Sequence, residues 1–244
     1  MPNFKHYILT RFNRGIYNFY KKKIKVPADQ WMRHRIDLFK AITLPSIQAQ
    51  TCQNFTWLLL LDPKTPQYFL DEMYAIDYPN IKILDVQQEG DYWLTNFEEC
   101  DGDYITTRID NDDAFDIHAI EAIQTSYEND QSFRVIIFPY GYIFELATRK
   151  IYMMKYWGNN CPTLIQSSTG RSSIFDWDHS QIHYTKEIPK EYCSDRSYWL
   201  QVVHSNNLIN SVKASETKEI RFDLPMNINT LSAFNIDPNT LPKS

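Results

Sequence analysis

Glycine is scarce in this chain, with six in 244 residues. No GxGxxG or P-loop pattern occurs, which excludes a glycine-rich backbone cradle as the device for holding phosphates. The four cysteines (Cys52, Cys100, Cys161 and Cys193) are far apart and form no CxxC pair. That spacing argues against a disulfide framework or a zinc site and suits a reducing compartment. Positive charge is not in excess. The net charge of −5 argues against nonspecific nucleic-acid binding. No apolar run reaches transmembrane length, and the start, Met1 to His6, has no apolar signal region. A cytoplasmic protein is the expectation.

What the chain has is a globular composition, 43% hydrophobic and 15% aromatic, enough to bury a sizeable core. The length suits one large domain over 1–244, without internal repeats. The stretch Tyr104 to Phe115 organises the reading. Tyr104, Thr106 and Arg108 alternate with Ile105, Thr107 and Ile109, which predicts a strand. The strand runs into Asp110, Asn111, Asp112 and Asp113. In an extended chain Asp110 and Asp112 share a face, and carboxylates that close need a cation or a proton between them. Hard oxygen ligands suit Mg²⁺ or Mn²⁺, which proteins hold with one or two carboxylates plus substrate phosphates. Acids at a strand exit therefore point to a metal bridging the protein to a diphosphate.

Other readings of the same residues stay open. Asp-Asn-Asp-Asp is also a good polar turn. Asp113 or Asp116 suits the cap of a helix over His118 to Glu128. A calcium loop is disfavoured, because Ala114 and Phe115 stand where a ligand and a glycine are required.

Along the chain, Phe4 to Phe12 predicts a first strand, and Arg11 and Asn13 leave it at the end where open α/β sheets bind ligands. Lys21, Lys22, Lys23 and Lys25 read first as a solvated loop, and otherwise as a basic arm suited to an anionic, lipid-linked acceptor or to peripheral contact with the inner face of a membrane. Ile36, Phe39, Thr43 and Ile47 have helical spacing, with Pro45 expected to kink or end the helix. Phe55 to Leu61 is a doubly buried strand ending at Asp62. A short helix over Pro66–Tyr74, a strand over Ile81–Val86 and a loop with a short helix over Glu89–Glu99 lead to the acidic strand. This order predicts an α/β fold: a mainly parallel central sheet with helices on both faces.

Beyond the acidic stretch, Val135 to Phe138 is a buried strand, and Gly141–Glu145 with Lys150–Met154 a two-strand ribbon. Thr163 to Ile165 is a short strand. Ser167 to His183 is irregular, with aromatics among the acids Asp176 and Asp178, a pattern suited to sugar recognition. Trp199, Leu200 and Val203 form an apolar stripe read as a helix, capped by Ser194 or Asp195. The tail from Ile220 reads as a strand remnant and then extended chain.

The strand ending in Asp110-x-Asp112-Asp113 is similar to the metal and sugar-nucleotide motif of GT-A glycosyltransferases. Thr107 to Ala114, the segment from Trp31 and Arg35 through Leu44-Pro45 to Asn54-Phe55 and Asp62, and Trp199 to His204 resemble the rhamnosyltransferase family. The resemblance implies a GT-A-like fold, with a nucleotide-binding half over about 1–115 and an acceptor-side half over about 116–225. It implies a nucleoside-diphosphate sugar donor, a saccharide or lipid-linked acceptor, and Mn²⁺ or Mg²⁺ held by Asp110, Asp112, Asp113 and His204. Asp62 would meet the nucleobase, and Asp195 at a helix start, or else Asp178, would be the catalytic base. Arg35 and Arg108 suit bidentate contacts to the diphosphate. A sugar nucleotidyltransferase and a non-catalytic carbohydrate-binding domain are the alternatives. The first lacks its glycine-rich basic loop, since Thr10 to Gly15 is a poor match.

Overall fold

The computed structural model describes residues 3–17, 24, 26–85, 101–158, 161–167, 169–170, 172–179, 181–205, 207, 218–224 and 228–242. The lysine arm Lys21–Lys23 with Lys25, the segment Glu89–Glu99, and Cys100 lie outside them.

The first sheet has seven strands: β1 (Phe4–Arg11), β2 (Thr56–Leu61), β3 (Ile81–Asp85), β4 (Asp103–Arg108), β6 (Arg134–Ile137), β9 (Thr163–Ser167) and β10 (Lys190–Tyr192). Their order is β10-β6-β9-β4-β1-β2-β3. All pairs are parallel except those that β9 makes with β4 and β6, so six strands point one way. The expected mainly parallel α/β sheet is present. The carboxyl ends of β1, β2, β3, β4, β6 and β10 therefore lie along one edge, at Arg11, Leu61, Asp85, Arg108, Ile137 and Tyr192. This is the edge where open α/β sheets bind ligands.

Strand alternation sends side chains into two cores. Ile8, Trp57, Leu59, Leu61 and Ile105 pack with Trp31, Met32 and Ile36 of α1 (Ala28–Leu38), Phe69 and Met73 of α3 (Gln67–Tyr74), and Ile120, Ile123 and Tyr127 of α4 (Ala119–Asn129). Each such side chain, fully buried, contributes roughly 1.5–3 kcal/mol. On the opposite face Tyr7, Leu9, Leu58, Leu60 and Leu164 pack under Ile174, Ile182 and Ile188. Helices on both faces were expected. Among the described residues the long helices cover one face, and the irregular segments 172–179 and 181–189, with two short 3₁₀ turns, cover the other.

Pro45 neither ends nor breaks its helix. Between α1 and α2 (Leu44–Gln48) the chain forms a π turn over Phe39–Thr43, in which the Leu44 N–H bonds the Phe39 carbonyl. That turn restarts the ladder, so Pro45 enters at the beginning of α2, where a missing N–H is tolerated.

A second sheet of five strands was only partly legible. The expected ribbon is there as β7 (Tyr140–Glu145) and β8 (Lys150–Tyr156), antiparallel. It is extended by β12 (Lys218–Leu224), β11 (Trp199–Val203) and β5 (Ala114–Phe115) in the order β12-β8-β7-β11-β5. The stripe Trp199–Val203 is thus a strand, parallel to β7, and not a helix. Trp199, Leu200, Gln201 and Val202 are all buried, and a sequence buried on both sides carries no period that separates strand from helix. The Trp199 ring lies over Gly141, its partner in register, and any Cβ there would overlap the ring. The tail is also corrected: Leu231 of α5 (Ile228–Ser232) and, after it, Phe234, Ile236 and Leu241 pack into a third core with Leu38, Ile42 and Phe144. Among the described residues no helix is long and apolar enough to cross a membrane.

Two predictions come from these packings. Gly141→Ala will lose about 1–3 kcal/mol of stability by overpacking, read from denaturant unfolding. His6 is buried, its Nδ1 accepting from Gln124 at 3.1 Å and its Nε2 donating to Thr107 at 2.8 Å. Burial lowers its pKa to about 3. The folded chain therefore binds fewer protons than the unfolded chain between pH 6.5 and 3, and stability falls as pH falls through that window, by about 1.4 kcal/mol per pH unit. Unfolding curves of His6→Gln between pH 7 and 4 will lack this component of the slope.

Candidate active site

The site forms where the two sheets join. The chain leaves β4 at Arg108, turns through Asp110–Asp113, and enters β5 of the second sheet at Ala114. The Asp113 amide reaches back to the Asp110 carbonyl at 3.4 Å. The segment is a turn and not an extended run, so the acids do not share a face. Each has its own environment.

Asp110 is 37% exposed and sits in the fork of Arg108, with Nη2 at 3.0 Å from Oδ1 and 3.2 Å from Oδ2. Arg108 also donates to His179 Nδ1 at 2.6 Å. Asp112 is buried and ion-paired with the equally buried Arg35 of α1. His204, just past β11, places Nε2 at 3.0 Å from the same Asp112 oxygen, and Asn207 donates to it at 3.1 Å. Burial alone would raise the Asp112 carboxyl, but Arg35 and His204 hold it below the ordinary range. With Asp112 ionised, His204 Nε2 is the donor, and His204 Nδ1 faces His34 Nε2 at 3.2 Å. Burial lowers His34 to about 4, with His204 and Arg35 adding to the shift, so its ring is neutral.

Asp113 is buried deepest. Its Oδ1 accepts the Val202 amide at 3.0 Å, while Oδ2 has no partner. Burial, then the charges of Asp112 and Asp110, raise its carboxyl well above the usual range. Asp116, not Asp113, serves the start of α4, accepting the His118 amide at 2.9 Å. It also ion-pairs with Arg196 at 3.1 Å.

The β1 and β2 ends form one unit. Asn13 accepts the Asp62 amide and donates to Thr65, both at 2.8 Å. Asp62 is buried, and its two carboxylate oxygens accept the Gly15 and Lys64 amides at 2.8 and 2.9 Å. Gly15 has a φ of 76°, which glycine adopts without strain. Asn13 and Asp62 thus hold the loop after β1, and Arg11 is the exposed group there, its guanidinium 4.0 Å from the centre of the Phe175 ring.

The two expected catalytic bases are not equivalent. Asp195 was expected to open a helix. No helix follows it, because the next element is β11, and no helix dipole acts on it. It is exposed and accepts the Tyr198 hydroxyl at 2.9 Å, in a polar cleft with His118, Glu121 and Arg196. Asp178 is 63% exposed beside His179, the residue that bonds Arg108.

The structure therefore brings together Arg35, Asp112, Asp113 and His204 in one buried cluster, and Arg108, Asp110 and Asp178 in a more open one. Sequence reasoning missed His34, Asn111, His179 and Asn207. Asn111 donates to the Phe12 carbonyl at 2.6 Å and accepts from Arg35 at 3.1 Å, tying the turn to β1 and α1. Its position inside the acidic motif was the available signal; the other three are joined to the site only by long-range folding.

Among the described residues no group of three His, Cys, Asp or Glu side chains forms a ready metal cage. The donor chemistry still fits Mg²⁺ or Mn²⁺. Three carboxylates face two guanidinium groups, and Asp110, 37% exposed, is the one open to an ion. Mg²⁺ needs only one or two carboxylates when phosphates complete its shell.

Asp112 is no peripheral acid, and its pairing generates a stability prediction. Arg35→Met leaves a buried carboxylate without its cation and will cost about 3–5 kcal/mol in denaturant unfolding, more than Arg108→Met, whose carboxylate partner is 37% exposed.

Among solved structures the chain is similar to S. aureus TarS 1–349 in complex with UDP-GlcNAc, at 12% identity and a TM-score of 0.49, covering 88% of this chain and 62% of that one. It is similar to S. aureus TarS 1–349 in complex with UDP at 11% identity and a TM-score of 0.47, covering 82% and 60%. The chain thus spans about 60% of the length of those structures. No curated protein matches. The model of the family described as "Putative rhamnosyl transferase" matches residues 9–216. Since that match takes in most of the chain, with the loop after β1, Arg35, the acidic turn and His204 inside it, the protein belongs to this rhamnosyl transferase family.

Proposed function

We propose that the chain is a glycosyltransferase that moves a sugar from a nucleoside-diphosphate sugar to a saccharide or lipid-linked acceptor. The observation that carries this reading is the acidic turn at the carboxyl end of β4, with one carboxylate open in the fork of Arg108 and one buried against Arg35. Asp110 and Asp112 would hold Mg²⁺ or Mn²⁺. The ion when bound supplies Lewis-acid neutralisation of the diphosphate leaving group.

The chain's own residues do the rest. Arg11 and Arg108, on neighbouring strand ends, offer fixed positive charge to the diphosphate. Arg35, His204 and Asn207 fix the Asp112 carboxylate in one orientation. Asn13 and Asp62 shape the loop after β1 and so set the wall against which a nucleobase rests. Asp178 takes the proton from the attacking acceptor hydroxyl, since it is exposed and lies one residue from the His179–Arg108 contact. Asp195 acts in the neighbouring polar cleft and not on the reacting hydroxyl. The rhamnosyl identity of the donor rests on the family description alone.

The test is a screen of nucleoside-diphosphate sugars, with Mn²⁺ or Mg²⁺ and with chelator, reading release of nucleoside diphosphate. Turnover of at least one sugar nucleotide that falls sharply on chelation is expected, and none from any donor would sink the reading. With the working donor, Asp178→Asn will lose at least about a hundredfold in turnover with donor affinity unchanged, while Asp195→Asn will keep turnover within about threefold. The reverse ranking would return the base to Asp195.

A further inference from the structure

A second cleft, of about 530 Å³, is lined by Pro139, Tyr140, Trp157, His183, Tyr192 and Ser194. Its rings come from separate elements: Tyr140 opens β7, Trp157 follows β8, His183 lies in the 3₁₀ turn Ile182–Tyr184, and Tyr192 ends β10. Because Ile137 and Tyr192 end β6 and β10, the cleft opens on the same sheet edge as the acidic turn. The strand order puts β6 and β10 two and three strands from β4, a lateral offset of about 10–14 Å at the usual strand spacing. Tyr156, the residue before Trp157, has its phenol raised by burial and then by the Asp178 charge.

The lining has a definite chemistry. Trp157 and Tyr192 meet edge to face at 5.4 Å, and Tyr192 is 43% exposed. Lys155 stands 4.4 Å over the Trp157 ring and braces it. His183 Nδ1 is buried and has no hydrogen-bond partner, and burial followed by Lys190 lowers the His183 pKa, so the ring is neutral. Ser194 adds a hydroxyl. Among the described residues no arginine, lysine or carboxylate lines the cleft, which suits a neutral ligand better than a phosphate. It pairs flat aromatic surface with a few neutral hydrogen-bonding groups. That combination matches a ligand with apolar C–H faces and a rim of hydroxyls.

We infer that the Tyr140–Trp157–Tyr192 cleft binds a neutral saccharide, the sugar portion of the acceptor. The word acceptor rests on the transferase reading above; the saccharide site rests on the cleft. Rings stack on the sugar faces, and His183 and Ser194 bond its hydroxyls. A saccharide seated there points one end along the sheet edge toward Asp178 and Asp110.

The test uses the intact chain on an array of defined neutral oligosaccharides, with titration of the strongest binder. Wild type is expected to capture at least one saccharide. Trp157→Ala and Tyr192→Ala will each weaken it about tenfold or more, and Trp157→Phe, which keeps a ring, will stay within about threefold. The affinity of the same variants for uridine, thymidine and guanosine diphosphates will match that of wild type, which also reports that they fold. Alanine variants that hold the saccharide like wild type overturn the proposal, as does a wild-type chain that captures none at millimolar concentration. A chain that binds saccharide through these rings but no nucleoside diphosphate would keep the cleft and remove the transferase reading.

Discussion

Arg35 and Asp112 meet inside the protein, and each would be expensive to bury alone. Their pairing joins three parts of the fold that are remote in sequence. Arg35 comes from α1, Asp112 from the turn between the sheets, and His204 and Asn207 arrive from beyond β11 to complete the carboxylate's partners. Asn111 then ties the same turn to the Phe12 carbonyl at the end of β1. The turn cannot shift without leaving a buried charge unpaired, which makes it a stable platform at the ligand-binding edge of the first sheet.

That platform divides the acids by environment. Asp110 stays open beside Arg108, Asp112 is held ionised, and Asp113 is pushed toward its neutral form by burial and by its neighbours. Carboxylates this close would repel if all were charged and equally solvated. The separation leaves the open pair Arg108–Asp110, with His179 and Asp178 alongside, as the part that can meet a charged donor. The aromatic cleft two to three strands away extends the same edge with neutral chemistry. One sheet edge thus carries a charged half and an uncharged half, suited to a diphosphate and to a sugar.

The residues read as direct nucleotide contacts illustrate a different use of polar groups. Asn13 and Asp62 sit at strand ends, as expected, yet their side chains bond to backbone and to Thr65. Buried polar groups must find partners, and in a loop without regular ladders the side chains supply them. Here they hold the loop after β1.

The sequence by itself determined five of the six parallel strands, through short apolar runs each followed by a polar exit; β10, Lys190–Tyr192, has no such run. It also determined the strand β4 and the dense carboxylates after it, local properties of twelve consecutive residues, though not the turn that gives each acid its own environment. The ribbon Tyr140–Tyr156 and the helix after Asp116 were legible for the same reason. Tertiary structure alone decided that Trp199–Val203 is a strand, because a run buried on both faces has no period to read. It decided that the last residues pack as Leu231, Phe234, Ile236 and Leu241, since isolated apolar residues in a polar tail show no pattern until a groove receives them. And it decided the partners of the acids. Arg35 lies 77 positions before Asp112 and His204 lies 92 after it, so the buried charge balance that defines the site exists only once the two sheets have closed around it.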